Sequence, residues 1–148
     1  MNKHAILAEA KRLLLAKQAE LQAMTDDLNR GLAEDTKSSA GDKYETSRAM
    51  SQQELDKIAV QLNENARQLA LIPQLLETPA SETVRNGSLV TTDNGAFLIG
   101  LPAGQLTVDG QPVFCIGPVA PIAQKLIGMK AGETCAVNGR KYEIVEVS

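Results

Sequence analysis

Asp42 and Glu45 are the residues whose type and spacing could do metal chemistry. Three positions apart, they share one face of a helix. Two carboxylates there can supply the hard oxygen ligands that Mg²⁺ prefers, with phosphate and water completing the shell. A pair alone binds Mg²⁺ weakly, so such a site forms only against a second surface that brings further ligands. The same spacing has a structural reading. Asp-x-x-Glu at a helix start is a capping box, with Asp42 as the cap and Glu45 reaching back. The two roles can coexist, because a cap would hold the pair in place.

Around this pair, Lys37, Lys43 and Arg48 could meet phosphate groups, or could form a solvated surface, since no sustained basic stripe follows them. Tyr44 could pack against a base or a partner's wall, or could close the apolar end of the structure that carries it. Elsewhere the chain is sparing with chemistry. His4 is the only histidine. Cys115 and Cys135 form no CxxC motif, and burial is the default for such thiols. No catalytic triad, metal cluster or phosphate loop is visible.

The chain has 148 residues, 43% of them hydrophobic but only 3% aromatic, with 15 basic and 18 acidic residues and a net charge of −3. This balance argues against strong non-specific adhesion to nucleic acid or anionic membrane. Few cysteines and no signal-like apolar run predict a reduced, cytoplasmic protein. No stretch is long and apolar enough to span a bilayer.

Composition changes near Pro79. Nine of the 11 glycines and five of the six prolines lie from there on, which marks a shift from helix to strands and turns. The expected domains are residues 1–77 and 78–148, joined near Glu77-Thr78-Pro79-Ala80-Ser81. In the first, Leu7, Leu14, Leu21 and Leu28 recur every seven residues, with Ala10, Lys17, Met24 and Gly31 between them. After a short connection ending at Gly41, Leu55, Ile58, Leu62, Asn65, Leu69, Ile72 and Leu76 alternate by three and four. Both are coiled-coil seams, so two helices, about Lys3–Leu32 and Lys43–Leu76, should pair as an antiparallel hairpin roughly 45 Å long. Asn65 is a polar seam residue that fixes register, and Pro73 should kink or end the second helix. Arg48 and Ser51 replace apolar seam residues toward the connection, which predicts a polar far end carrying Asp42 and Glu45.

The second half reads as a small α+β domain, mostly antiparallel. Strands at Ser88–Thr92 and Ala96–Leu101 flank Asp93-Asn94-Gly95, and Leu106–Val108 and Val113–Ile116 flank Asp109-Gly110-Gln111-Pro112. Thr134–Val137 and Arg140–Val147 flank Asn138-Gly139, a strong hairpin signal. Pro at the first helical turn and Gly just past the end make the Pro121–Gly128 segment a short helix.

These features resemble the bacterial Gre transcript-cleavage factors. Gly41-Asp42-Lys43-Tyr44-Glu45-Thr46-Ser47 is similar to the family's Gly-Asp-x-x-Glu-Asn-Ala tip, with Thr46 and Ser47 standing where Asn and Ala are usual. Ala120-Pro121-Ile122-Ala123 through Leu126-Ile127-Gly128 and Gly132-Glu133 resembles its C-terminal segment, and Arg140–Val147 its last strand. The resemblance implies a helical hairpin plus an FKBP-like antiparallel C-terminal domain with one short helix. It implies a factor that binds core RNA polymerase, inserts its tip into the secondary channel, and stimulates cleavage of the backtracked transcript by the polymerase, with no enzymatic activity alone. Asp42 and Glu45 would share Mg²⁺ with the polymerase active site, Lys43, Tyr44 and Arg48 would face RNA or the channel wall, and Pro121 and Ile122 would contact the polymerase. RNA or DNA would be met only inside that complex, with no membrane and no small-molecule substrate. With only Phe97, Phe114 and Tyr142 to line a proline pocket, prolyl isomerase activity is not expected. A non-cleaving regulator or inhibitor in the same channel, or a scaffold whose rod binds another partner, remain as alternatives.

Overall fold

Alanine, leucine and the longer polar residues favour helix along most of the first half. A computed structural model describes residues 2–35 and 42–148, and their side chains apart from positions 35 and 42–44. Helix α1 spans Lys3–Asp35 and α2 spans Asp42–Glu77. The Asn2 side-chain oxygen accepts the His4 amide at 2.8 Å, an N-cap for α1. The connection expected through Gly41 lies, from Thr36 on, outside the described residues.

The two helices form a hairpin whose apolar contacts follow the heptads unevenly. Leu7, Ala10, Leu14 and Leu21 of α1 and Ile58, Asn65 and Ile72 of α2 are buried. Lys17 and Met24 are exposed instead, while Leu28, Leu55, Leu62 and Leu69 are half-buried. Among the described residues, none is buried in α1 after Leu21 or in α2 before Ile58. Asn65 donates from Nδ2 to the Leu14 carbonyl at 2.8 Å, so this buried amide satisfies itself on the facing helix.

Two departures from the expected hairpin concern its last turns. α2 neither stops nor breaks at Pro73, which lies inside it. A proline removes one intrahelical donor, and only one turn of helix follows it. Past Pro73 the seam changes phase: Leu75 is buried and Leu76 is exposed. Thr78 ends the helix by donating its hydroxyl to the Gln74 carbonyl at 2.8 Å.

The second half forms β1 (Leu89–Thr92), β2 (Gly95–Ile99), β3 (Gly104–Val108), β4 (Gln111–Ile116), α3 (Pro121–Leu126), β5 (Thr134–Val137) and β6 (Arg140–Val147). They make one six-stranded sheet in the order β3-β4-β2-β1-β6-β5. The sheet is mixed, not wholly antiparallel. β4 runs parallel to β2, from Ala96↔Val113 to Ile99↔Ile116. The cause is insertion: β3 passes to the edge, and its hairpin brings β4 back between β3 and β2. Asp109-Gly110 and Asn138-Gly139 make these turns with positive φ at both residues, near 53° and 76° for the first pair and 53° and 77° for the second, the primed geometry that matches strand twist. α3 ends at Leu126 with Ile127 as its C-cap, and Gly128 follows with φ +93°, just past the end as expected.

The chain divides into two compact units, Met1–Arg12 with Ala70–Ser148, and Leu13–Leu69. Within the first, Val84, Val90, Phe97, Ile99 and Ile144 pack with Ala123 and Leu126 of α3 on one face of the sheet. The opposite face, with Ala96, Leu98, Val113 and Cys115, is buried as well. Burial on both sides explains the unbroken apolar run of β2.

The end of α2 meets the sheet at Gly100, where φ is +118°; a Cβ there would lie 2.9 Å from Leu75 Cδ2 and 2.8 Å from Asn86 Oδ1. Gly100→Ala should therefore cost about 2 kcal/mol or more in urea unfolding, through strain and overpacking together. Asn65→Ala should cost about 1–2 kcal/mol. Asn65→Leu should leave stability equal or higher while loosening helix register, seen as doubled amide resonances in NMR spectra of the hairpin.

Candidate functional site

The sequence points to two places, the start of α2 and the start of α3. Asp42 is the first residue of α2, and Glu45 lies one turn along it. Glu45 is exposed. The side chains of Asp42, Lys43 and Tyr44, and hence the capping reading of Asp42, lie outside the described residues, as does Lys37. Arg48 is exposed on α2. No group of three or more His, Cys, Asp or Glu residues that could hold a metal ion occurs among the described residues. The donor chemistry at the start of α2 thus fits a partial ligand set: an exposed carboxylate that could share a Mg²⁺ whose other ligands come from elsewhere.

At the second place the fold brings together residues far apart in sequence. Phe97 on β2 stacks on Phe114 of the parallel neighbour β4, with ring centroids 5.5 Å apart, and meets Tyr142 of β6 edge-on at 5.6 Å. Both separations are favourable for aromatic pairs. Phe97 and Tyr142 then line a cleft of about 440 Å³ with Pro121, Ile122, Val137, Asn138 and Arg140. Pro121 opens α3 at the helix start, where its missing amide costs nothing. This exposes Pro121 and half-buries Ile122 at the cleft, while Ala123 and Leu126 turn into the core.

The sequence singles out Pro121 and Ile122, and the structure sets both on the cleft wall; Val137, Asn138 and Arg140 beside them were not singled out. Alternation along β6 places Arg140 on the same face as Tyr142 and Ile144, and the register pairs Val137 with Arg140 and Cys135 with Tyr142. That signal was present in the spacing, whereas the approach of Phe97 depends on the strand order.

A second set of long-range ties holds the β1–β2 turn against β6. Asp93 Oδ1 accepts the Glu143 amide at 2.8 Å, and Asn94 Nδ2 donates to the Lys141 carbonyl at 2.7 Å. The residues read as a turn signal therefore also anchor the strand that carries Tyr142 and Arg140.

Neither cysteine is activated by its surroundings. Burial pushes the Cys115 thiol up to about 12. It also raises that of Cys135, against the opposing pull of the Lys125 charge. No described helix is long and apolar enough to cross a membrane. Compared with known proteins, the chain matches no family model, no curated protein and no solved structure.

A thiol reagent at pH 8 should modify Cys135 in the native protein and spare Cys115, whose thiolate is suppressed about a thousandfold. Mass spectrometry of the labelled chain, native and in denaturant, checks this. Because burial favours the neutral Cys115 thiol, the fold should lose stability as pH rises above the ordinary thiol value of 9.0 toward about 12. Cys115→Ala should flatten that loss in unfolding curves taken across the same range.

Proposed function

We propose that this protein is a Gre-like transcription factor: the start of α2 enters the secondary channel of RNA polymerase, and the C-terminal domain docks on the polymerase outside it. The observation that supports the reading is Asp42 and Glu45 in the first turn of the second of two long helices, in a chain that continues into a small α+β domain. The likeness of that domain to FK506-binding proteins belongs to the same reading.

In this mechanism Asp42 and Glu45 bring oxygen ligands to a second Mg²⁺ held jointly with the polymerase. Such an ion can activate the attacking water and offset charge on the leaving oxygen. The protein contributes position and charge, and the polymerase performs the hydrolysis. Lys43, Tyr44 and Arg48 line the approach to RNA or the channel wall. Pro121 and Ile122 supply the outer contact. The acidic net charge is compatible with this, since the nucleic acid is held by the polymerase.

A second reading rests on Thr46 and Ser47, which replace the family's usual Asn and Ala directly after Glu45. It keeps the channel and the docking but replaces cleavage with inhibition.

The deciding measurement is transcript cleavage in backtracked complexes of the cognate polymerase. The wild-type chain should accelerate cleavage. Asp42→Ala and Glu45→Ala should each lower the stimulated rate by about 100-fold while leaving polymerase affinity within about threefold. Polymerase binding without cleavage, with slowed initiation or elongation, would establish the inhibitory reading. Absence of binding to core polymerase would overturn both.

A further inference from the structure

The cleft beside α3 combines apolar walls with a cation. Its apolar walls are Phe97, Tyr142, Pro121, Ile122 and Val137, and its one charged lining residue is Arg140. A volume of about 440 Å³ falls within the range of roughly 300–1,000 Å³ typical of ligand sites. No carboxylate lines it among the described residues. α3 carries Lys125 and no acidic residue. Lys125 lies near enough to Cys135 to act on its thiol, and Cys135 pairs with Tyr142 on the cleft-bearing face of the β5–β6 hairpin.

Acidic neighbours are directed elsewhere. Glu133 turns Oε2 onto the Lys130 amide at 3.2 Å, and Glu143 alternates to the face opposite Arg140 and Tyr142. In a chain of net charge −3, this wall is locally cationic.

We propose that the cleft binds an acidic segment of a protein partner, anchored by one apolar side chain between Phe97, Ile122 and Tyr142, with a carboxylate paired to Arg140. This rests on the reading of α3 as a docking element. Bidentate pairing with carboxylate suits a guanidinium, and an apolar anchor ringed by polar contacts is the usual anatomy of a binding hot spot. β5 borders the cleft and is an edge strand of the sheet, so an extended segment lying along it meets unpaired backbone groups. Nucleic acid suits the site poorly, since its binding draws on many phosphate contacts and this cleft is lined by a single cation, Arg140.

The test uses the isotope-labelled full chain and three short peptides: glutamates flanking a leucine, the same peptide with alanine for leucine, and the same with lysines for the glutamates. The acidic leucine peptide should shift the NMR resonances of Phe97, Ile122 and Tyr142. It should bind about tenfold tighter than either of the others. Arg140→Glu, a change at an exposed position, should reverse the preference toward the lysine peptide.

Equal binding of acidic and basic peptides would overturn the proposal. So would shifts confined to other residues, displacement of the peptide by a short RNA, or self-association of the chain through this face. Should the chain keep the acidic preference but fail to co-purify with core polymerase, the cleft assignment stands and the polymerase is removed as its partner. Loss of the preference alongside intact polymerase binding removes the cleft assignment alone.

Discussion

Two missing side chains let helix and sheet meet. At Gly100 the backbone comes so near Leu75 and Asn86 that a Cβ would overlap both, and at Gly87 a Cβ would lie 2.8 Å from Thr78 Cγ2. Leu75 and Thr78 belong to the last turn and end of α2. These approaches seat the end of the helix, through Leu75 and Thr78, against the sheet. They also rationalise the phase change after Pro73: Leu75, rather than Leu76, is the residue turned into this junction. Hydrogen bonds from the Gly87 amide to the Ile99 carbonyl and from the Gly100 amide to the Ile116 carbonyl, each 2.8 Å, fix the same backbone from the sheet side.

Much of this fold was legible because its signals are local. Heptads gave the hairpin, Asn-Gly and Asp-Gly gave the tight turns, and Thr134–Val137 and Arg140–Val147 were read with the bounds they have. What escaped was non-local. Turn residues say that β3 and β4 are antiparallel neighbours, but not that β4 returns between β3 and β2. The parallel pairing follows from that insertion. Pro73 does not end α2, which continues to Glu77; the bond it forfeits is a single one, to the carbonyl four residues earlier.

The candidate sites divide along the same line. Asp42 and Glu45 stand three apart on one helix, so their spacing is a sequence property. The cleft is a tertiary property: Phe97, Ile122 and Tyr142 belong to β2, α3 and β6, and only the order of strands brings them together. Arg140 is intermediate. Its face is set by alternation with Tyr142, but its isolation from carboxylates depends on where Glu133 and Glu143 are turned. Of the three aromatics, Phe97 and Tyr142 line this cleft, and Phe114 supports Phe97 from the neighbouring strand.

Burial along the hairpin is graded, and the gradient has a dynamic consequence. Between Leu14 and Asn65 the helices share a buried amide, but among the described residues apolar burial ends at Leu21 and Ile58. The free energy to separate the helices should fall along the hairpin, since fewer apolar contacts are exposed by each further turn that opens. The start of α2 can then part from α1 while the Leu14–Asn65 register holds. Opening at the far end and alignment at the near end thereby become separate properties of the same pair of helices.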